Sequence, residues 1–138
     1  MEFPIPIPFV ETLGFELHEW DAGRARISVL LRDAFCNSWS VAHGGLTMTL
    51  LDVVMAHAAR SVRDADEHGT PGIVTVEMKT SFMRPATGRL TATGHLLHGT
   101  RSMAFCEGSV HDERGVLCAH ATGTFKFLRA LERGGEMS

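Results

Sequence analysis

One long apolar segment, from Gly44 to about Arg63, constrains the fold of this chain more than any other feature. It contains no proline, and no glycine after Gly45. At this length a helix is strongly favoured over a strand. Apolar side chains occupy most of the helix circumference, which is typical of a helix buried on most sides. The rest of the chain must therefore supply a layer that covers this helix.

Short segments with alternating apolar and polar residues make up most of the remaining sequence. A short helical turn is expected from Phe9 to Leu13. The alternating patterns then predict six strands separated by turn-forming residues: Phe15–Trp20, Arg24–Leu31, Ile73–Met83, Arg89–Leu97, Ser102–Val110 and Val116–Leu128. The last four follow one another so closely that they predict an antiparallel meander.

One helix and about six strands can form few architectures. A chain of 138 residues has room for one domain, so a single sheet must curl around the helix to bury it. We therefore predict one α+β domain over residues 1–138, in which a curved antiparallel sheet of about six strands wraps one long central helix. Residues 1–8 are predicted to form an extended N-terminal arm, and residues 129–138 a flexible tail.

Composition and charge argue against several classes of function. The net charge of −3 disfavours general nucleic-acid binding, and no apolar run reaches the roughly 18 residues of a membrane span. The first residues lack the basic region of a signal peptide, and three cysteines without a CxxC pair fit reduced thiols. The close pair His95 and His98 would point to opposite faces of a strand. We therefore expect a cytoplasmic protein without a metal site or a bound cofactor.

Asp52 is the residue of the apolar helix that a structural role explains least well. Carboxylates are rarely buried, because desolvating the charge costs several kcal/mol unless partners or a pKa shift relieve it. A cap or an ion pair with an arginine is one interpretation. The other, which we favour, is a carboxylate held at the edge of an active site, where a perturbed pKa is useful.

The sequence His43-Gly44-Gly45 stands at the start of the same helix. Two glycines let a ligand approach the backbone closely, and the N–H groups of the first turn have no partners within the helix. Together with the helix dipole, these donors suit a carbonyl oxygen that becomes an oxyanion. His43 fits a structural role equally well, with its ring tying down the preceding loop.

The spacing between Gly45 and Asp52 restricts how the two could serve one reaction. Seven residues of helix put them within roughly 20° of the same face but about 10 Å apart along the axis. One reacting carbon cannot lie close to both. If both serve one reaction, they come from different chains, and the spacing then predicts a dimer with two antiparallel helices side by side.

The residues from Asn37 to Asp52 carry a resemblance to a known family. Asn37-Ser38-Trp39-Ser40-Val41-Ala42-His43-Gly44-Gly45, followed by Thr49-Leu50-Leu51-Asp52, resembles the PaaI-like branch of the hotdog-fold acyl-CoA thioesterases. Weaker similarity continues to about Phe125. The resemblance implies a hotdog fold, hydrolysis of an acyl-CoA substrate, and a homodimer that assembles further into a homotetramer. It also implies an active site shared between two chains.

The resemblance further implies roles for single residues. Asn37 would position the thioester or the water. Gly44 and Gly45 would supply oxyanion donors beside His43. Asp52 of the partner subunit would act as general base or nucleophile.

Four further positions follow from the same resemblance. Thr75 falls where this branch often has a hydroxyl near the aspartate, although its alternation with polar neighbours fits an exposed strand face equally. Arg84, Pro85 and Arg101 would lie where coenzyme A is held, since a guanidinium suits phosphate. Solvated surface charges explain the two arginines equally well.

Two other functions remain open. A hotdog dehydratase or hydratase also acts on acyl thioesters, although the doubled glycine after His43 favours hydrolysis. A non-catalytic acyl-CoA-binding module would need no carboxylate opposite an oxyanion site.

Overall fold

The computed structural model describes residues 1–64 and 71–128. Its elements are two helices, a short 3₁₀ turn at Asp33–Phe35 and six strands: α1 Pro8–Leu13, β1 Glu16–Asp21, β2 Arg24–Leu30, α2 Gly44–Arg60, β3 Gly72–Phe82, β4 Arg89–Gly99, β5 Met103–His111 and β6 Leu117–Leu128. The predicted tail at 129–138, and most of the polar loop between α2 and β3, lie outside the described residues. Neither helix in the two described ranges is long and apolar enough to cross a membrane.

The six strands form one antiparallel sheet in the order β1-β2-β4-β5-β6-β3. The predicted α+β architecture, one sheet wrapped around one main helix, is confirmed. The predicted meander of four strands is wrong, because β3 pairs with β6 at the far edge of the sheet and not with β4. Both sides of β4 are taken, by β2 and β5. Residues 83–88 therefore carry the chain from the edge strand back to the middle of the sheet.

The helix α2 lies very close to the sheet it packs against. Its side chains Leu50, Leu51, Val54 and Met55 are fully buried. A Cβ atom on Gly94 of β4 would lie 2.6 Å from the carbonyl oxygen of Val54, so only glycine permits this approach. Burial of these apolar side chains is the main stabilising contribution to the domain.

The end of α2 is set by a side chain. The apolar pattern predicts a helix that reaches about Arg63, but the helix ends at Arg60. The hydroxyl of Ser61 donates to the carbonyl oxygen of Ala58 at 2.7 Å and accepts from the N–H of Gly23 at 2.8 Å. These bonds tie the end of the helix to the turn between β1 and β2, and so compete with a further helical turn.

The strand β3 is an open edge of the sheet with an irregular backbone. Its register against β6 shifts at Val76, so that Thr75 lies opposite Phe125 while Glu77 lies opposite Thr124. This β-bulge reverses the alternation of side chains along the strand. Val76 remains 55% exposed, which indicates that nothing in the described chain covers this edge.

Candidate active site

Asp52 lies on the face of α2 that the sheet leaves open. It is half-buried, and Gly45, Met48 and Thr49 on the same face are also incompletely covered. The hydroxyl of Thr75 donates to Oδ1 of Asp52 at 2.6 Å. Burial raises the pKa of Asp52, and the hydrogen bond from Thr75 offsets part of that rise. In the described chain Asp52 neither caps a helix nor pairs with an arginine.

The bulge at Val76 brings Thr75 to the carboxylate. Thr75 lies opposite Phe125, whose ring is fully buried, so its side chain points to the helix side of the sheet. Beyond the bulge, Glu77 points to the outer surface and accepts a hydrogen bond from Thr124 at 2.9 Å. Thr75 is exposed, as the second interpretation expected, but it does not share a face with Glu77, so that part of the interpretation is wrong. Strict alternation misses this contact, since it assumes a regular strand.

His43 is the N-cap of α2, and its ring forms the cap. Nδ1 accepts a hydrogen bond from the backbone N–H of Gly45 at 2.8 Å. In a neutral ring the proton therefore resides on Nε2. A Cβ on Gly45 would lie 3.1 Å from Nδ1, so this glycine also leaves room for the ring.

The cap removes one of the two predicted oxyanion donors. Because the N–H of Gly45 already binds His43, it is not available to a ligand. The N–H of Gly44 has no acceptor among the residues that the structure describes, and it lies at the positive end of the helix dipole. Gly44 is thus the single free donor of the pair.

Asn37 organises the loop before α2. Its Oδ1 accepts hydrogen bonds from the backbone N–H groups of Trp39, at 2.9 Å, and Val41, at 3.4 Å. Both interactions need the oxygen, which leaves the Nδ2 amide free to donate elsewhere. The chain passes through a left-handed conformation at Ser40, with φ of 61°.

An open cavity of about 390 Å³ lies beside the first turn of α2, and we call it the Gly44 cavity. Four of the predicted site residues line it: Asn37, Gly44, Arg84 and Pro85. The ring of Phe82 forms another wall and would lie 3.5 Å from a Cβ on Gly44. The residues around the cavity thus include one with a free backbone donor, one with a free side-chain amide and one with a guanidinium.

The predicted site residues fall into two groups within one chain. Asp52 follows Gly44 by eight residues, about 12 Å along the helix axis. One group is the pair of Asp52 and Thr75, and the other is Asn37 with Gly44 at the helix start. One chain therefore holds two half-sites and does not bring them together.

Arg84 and Arg101 are also far apart in one chain. The backbone N–H of Arg84 donates to Cys118 beside the Gly44 cavity. The carbonyl of Arg101 accepts from Arg63 just past the other end of α2, at 2.9 Å. Since α2 has 17 residues, these positions are separated by a helix about 24 Å long.

Groups of three or more histidine, cysteine, aspartate or glutamate side chains that could hold a metal ion do not occur in residues 1–64 and 71–128.

Comparison with known proteins shows that the chain is similar to enzymes. Residues 40–119 match the model of the Thioesterase superfamily. The chain is 31% identical over 110 residues to a Saccharolobus solfataricus protein named as a candidate esterase, with 79% of this chain and 75% of that protein covered. It is 26% identical over 136 residues to the medium/long-chain acyl-CoA thioesterase YigI of Escherichia coli, with 89% and 87% covered.

A solved structure shows the same fold. The chain matches a mutant of the phenylacetic acid degradation protein PaaI from Thermus thermophilus with a TM-score of 0.76 and 25% sequence identity. The match covers 87% of this chain and 98% of that one.

Proposed function

The chain belongs to the thioesterase superfamily and is a thioester hydrolase, and from this we propose that it hydrolyses an acyl-coenzyme A with Asp52 as its catalytic carboxylate. One observation carries this assignment. The bond from Thr75 holds a half-buried carboxylate of raised pKa on the open face of the helix. The similarity to an enzyme named for medium- and long-chain acyl-CoA supports the substrate class.

The chemistry follows from the two half-sites. The carbonyl oxygen of the thioester accepts from the N–H of Gly44, and the Nδ2 amide of Asn37 orients the carbonyl or the attacking water. As general base, Asp52 takes a proton from that water while the oxygen of the water bonds to the carbonyl carbon. The resulting oxyanion is stabilised at the helix start. Its collapse breaks the carbon–sulfur bond and releases coenzyme A, whose sulfur takes up a proton. Direct attack by Asp52 on the carbonyl is the alternative first step.

The proposed reaction uses both half-sites, so we propose that a second subunit supplies one of them. Two contacts between α2 and β3 support a position for it. Asp52 touches Thr75 at one end of the contact, and Gly44 lies against Phe82 at the other. The midpoint on α2 is near Met48. A two-fold axis through this region would bring the partner's Asp52 to Gly44.

On β3 the midpoint of the same two contacts falls near Met78. An axis there would pair the open edge of β3 with its own copy, since long unpaired edges are usually covered. Glu77 would then oppose the partner's Lys79, a cross-strand pair worth about 0.2–1 kcal/mol. We propose a homodimer on this basis, and its assembly into a homotetramer stays a prediction from the resemblance.

A pair of variants at Gly44 tests the donor assigned here. Gly44 is the first residue of the helix, where proline is well tolerated, and His43 has the extended conformation that a following proline requires, with ψ of 139°. Gly44→Pro removes the N–H and should lower kcat by about 10²–10³-fold. Gly44→Ala keeps the N–H and is the matched control, because its Cβ makes only ordinary contact with Phe82.

A mixed dimer tests the shared site. Asp52→Asn and Gly44→Pro chains, each with strongly reduced activity alone, should regain part of the activity when combined, because one of the two sites is then built from intact halves. The readout is release of free thiol from an acyl-CoA. Mixed dimers that form, as shown by native mass spectrometry, but recover no activity would mean that each chain carries its own complete site.

A further inference from the structure

A second cavity lies on the other flank of the helix start. It measures about 240 Å³, is open to solvent like the Gly44 cavity, and is lined by α1, the 3₁₀ turn and the first two turns of α2. We call it the α1 cavity, because Phe9 and Leu13 of that short helix form one wall. Phe35 and Leu46 supply further apolar surface.

The polar groups of Gly45 and Thr49 that border the α1 cavity are already paired, and His43, which also lines it, is exposed rather than buried. The hydroxyl of Thr49 donates to the carbonyl oxygen of Gly45 at 2.8 Å, and the N–H of Gly45 donates to the ring of His43. The described residues that line the cavity include no lysine, arginine, aspartate or glutamate. An apolar group can therefore enter without leaving a buried polar group unpaired.

The Gly44 cavity is also lined mostly by apolar residues, but it differs from the α1 cavity in including an arginine. Arg84 and the free amide of Asn37 line it, and it opens on the other side of the same helical turn. A thioester carbonyl bound to the N–H of Gly44 has two substituents, the acyl carbon and the sulfur of a phosphate-bearing thiol. Two cavities border adjacent residues of one turn, Gly44 and Gly45. Only the Gly44 cavity includes a charged residue, so it suits the phosphate-bearing thiol, and the α1 cavity suits the acyl carbon.

We infer that the α1 cavity binds the acyl group and that Phe9 and Leu13 of α1 limit the size of the acyl group accepted. The inference rests on the proposed acyl-CoA hydrolysis and names its substrate class. A cavity of about 150 Å³ in another protein admits benzene. The α1 cavity is larger, so it accommodates an aryl ring or a medium-length chain.

Two substitutions in α1 test this assignment in opposite directions. Leu13→Trp fills the cavity, and Phe9→Ala opens it at a position that is 59% exposed and therefore tolerant of change. The measured quantity is kcat/KM across acetyl-, butanoyl-, hexanoyl-, octanoyl- and phenylacetyl-CoA. Each buried methylene group is worth about fourfold in binding. Leu13→Trp should therefore lower the octanoyl-to-acetyl ratio by roughly tenfold or more, and Phe9→Ala should move the optimum to longer chains.

Met83→Trp is the matched control, because it places the same side chain in the Gly44 cavity. It should change KM for all five substrates by a similar factor and leave the ratio unaltered. If folded Leu13→Trp and Phe9→Ala proteins still hydrolyse acyl-CoA and keep the wild-type octanoyl-to-acetyl ratio of kcat/KM, this inference is overturned while the proposed function stands. If Leu13→Trp does not fold, Phe9→Ala decides. A wild-type protein that cleaves none of the five would overturn the proposed function, and this inference with it.

Discussion

The two halves of α2 differ in how accessible their polar groups are. In the first half, the N–H of Gly44 and the carboxylate of Asp52 remain accessible on the open face or beside a cavity. In the second half, His57 is only 1% exposed. Its Nδ1–H donates to the carbonyl oxygen of Val53 at 2.8 Å, and the ring of Phe3 packs edge-on against it. We call the half with the proposed catalytic groups the reactive half, and the buried half the structural half.

The comparison shows that a perturbed pKa does not by itself mark a catalytic residue. Burial raises the pKa of Asp52 and lowers the pKa of His57 to about 4. Asp52 also has a hydroxyl partner and access to a ligand, whereas His57 is sealed in the core. Access together with a specific partner separates the proposed catalytic residue of this helix from the packed one.

The largest effect is expected at the reactive half. Asp52→Asn should lower kcat by roughly 10²–10⁴-fold, the usual worth of a positioned acid–base group. The amide keeps the size of the side chain and can still accept from Thr75, so dimerisation should survive. Retention of the wild-type kcat in a folded, dimeric Asp52→Asn protein would remove Asp52 from the mechanism.

The same variant has a stability signature with a defined sign. A raised pKa means that the folded state binds the Asp52 proton more tightly than the unfolded state does. Wild-type stability therefore falls as pH rises from about 3.8 through the raised folded pKa. The free energy of unfolding of Asp52→Asn, measured by chemical denaturation, should equal that of the wild type below that range and exceed it at neutral pH.

The structural half should respond to pH in the opposite sense. Because the pKa of His57 is lowered in the folded state, the unfolded state binds the proton more tightly. Stability from this group is complete above pH 6.5 and is lost as pH falls towards 4. The loss is on the order of 3 kcal/mol at about 1.36 kcal/mol per pKa unit.

His57→Leu isolates the contribution of His57 to the pH dependence of stability, because leucine fills a similar volume and does not titrate. The variant should lose less stability than the wild type between about pH 7 and pH 4.5 in urea denaturation, while kcat at neutral pH stays near the wild-type value. Equal pH dependence in the two proteins would assign the acid sensitivity to other groups. A large loss of kcat at unchanged stability would show that His57 takes part in the reaction.

A smaller effect is expected at the cap. His43→Ala removes the acceptor for the N–H of Gly45 and should cost about 1 kcal/mol of stability. His43→Asn should restore it, because asparagine is a good N-cap residue. If His43 were a general base, asparagine would restore the melting temperature but leave kcat reduced by more than about 10²-fold.

The smallest effect is expected at the arginines that flank the two ends of α2. Arg84→Ala and Arg101→Ala should each raise KM for an acyl-CoA about fivefold and leave kcat nearly unchanged, since contacts to a remote phosphate bind ground and transition states alike. The control is a short acyl thioester without the nucleotide. Equal losses on both substrates would show that the arginines do not bind the nucleotide.

Local patterns predict much of this molecule. The apolar run defines α2, the alternation defines six strands, and helix geometry alone separates Gly45 from Asp52. These inferences succeed because each depends on neighbouring residues in the chain. The end of α2 at Arg60 is missed, because it depends on Ser61 reaching the distant turn at Gly23.

The features that sequence does not reveal are set by backbone irregularity and by distant partners. The bulge at Val76 leaves no mark in composition, yet it decides which way Thr75 points. The loss of Gly45 as a donor depends on the orientation of the His43 ring. The pairing of β3 with β6 depends on which strand edges are already occupied, and no short-range signal encodes that.

The pairing of β3 with β6 also governs how the protein is made. On the ribosome, at about 5–20 residues per second, α2 and β3 emerge a few seconds before β6. During that interval β3 lacks the strand that it pairs with. Met55 of α2 lacks its contact with β6, since a Cβ on Gly123 would lie only 3.1 Å from it. The apolar helix is thus exposed in the nascent chain, and a chaperone that shields it would act before the sheet closes. Closure of the sheet must therefore wait until β6 has emerged.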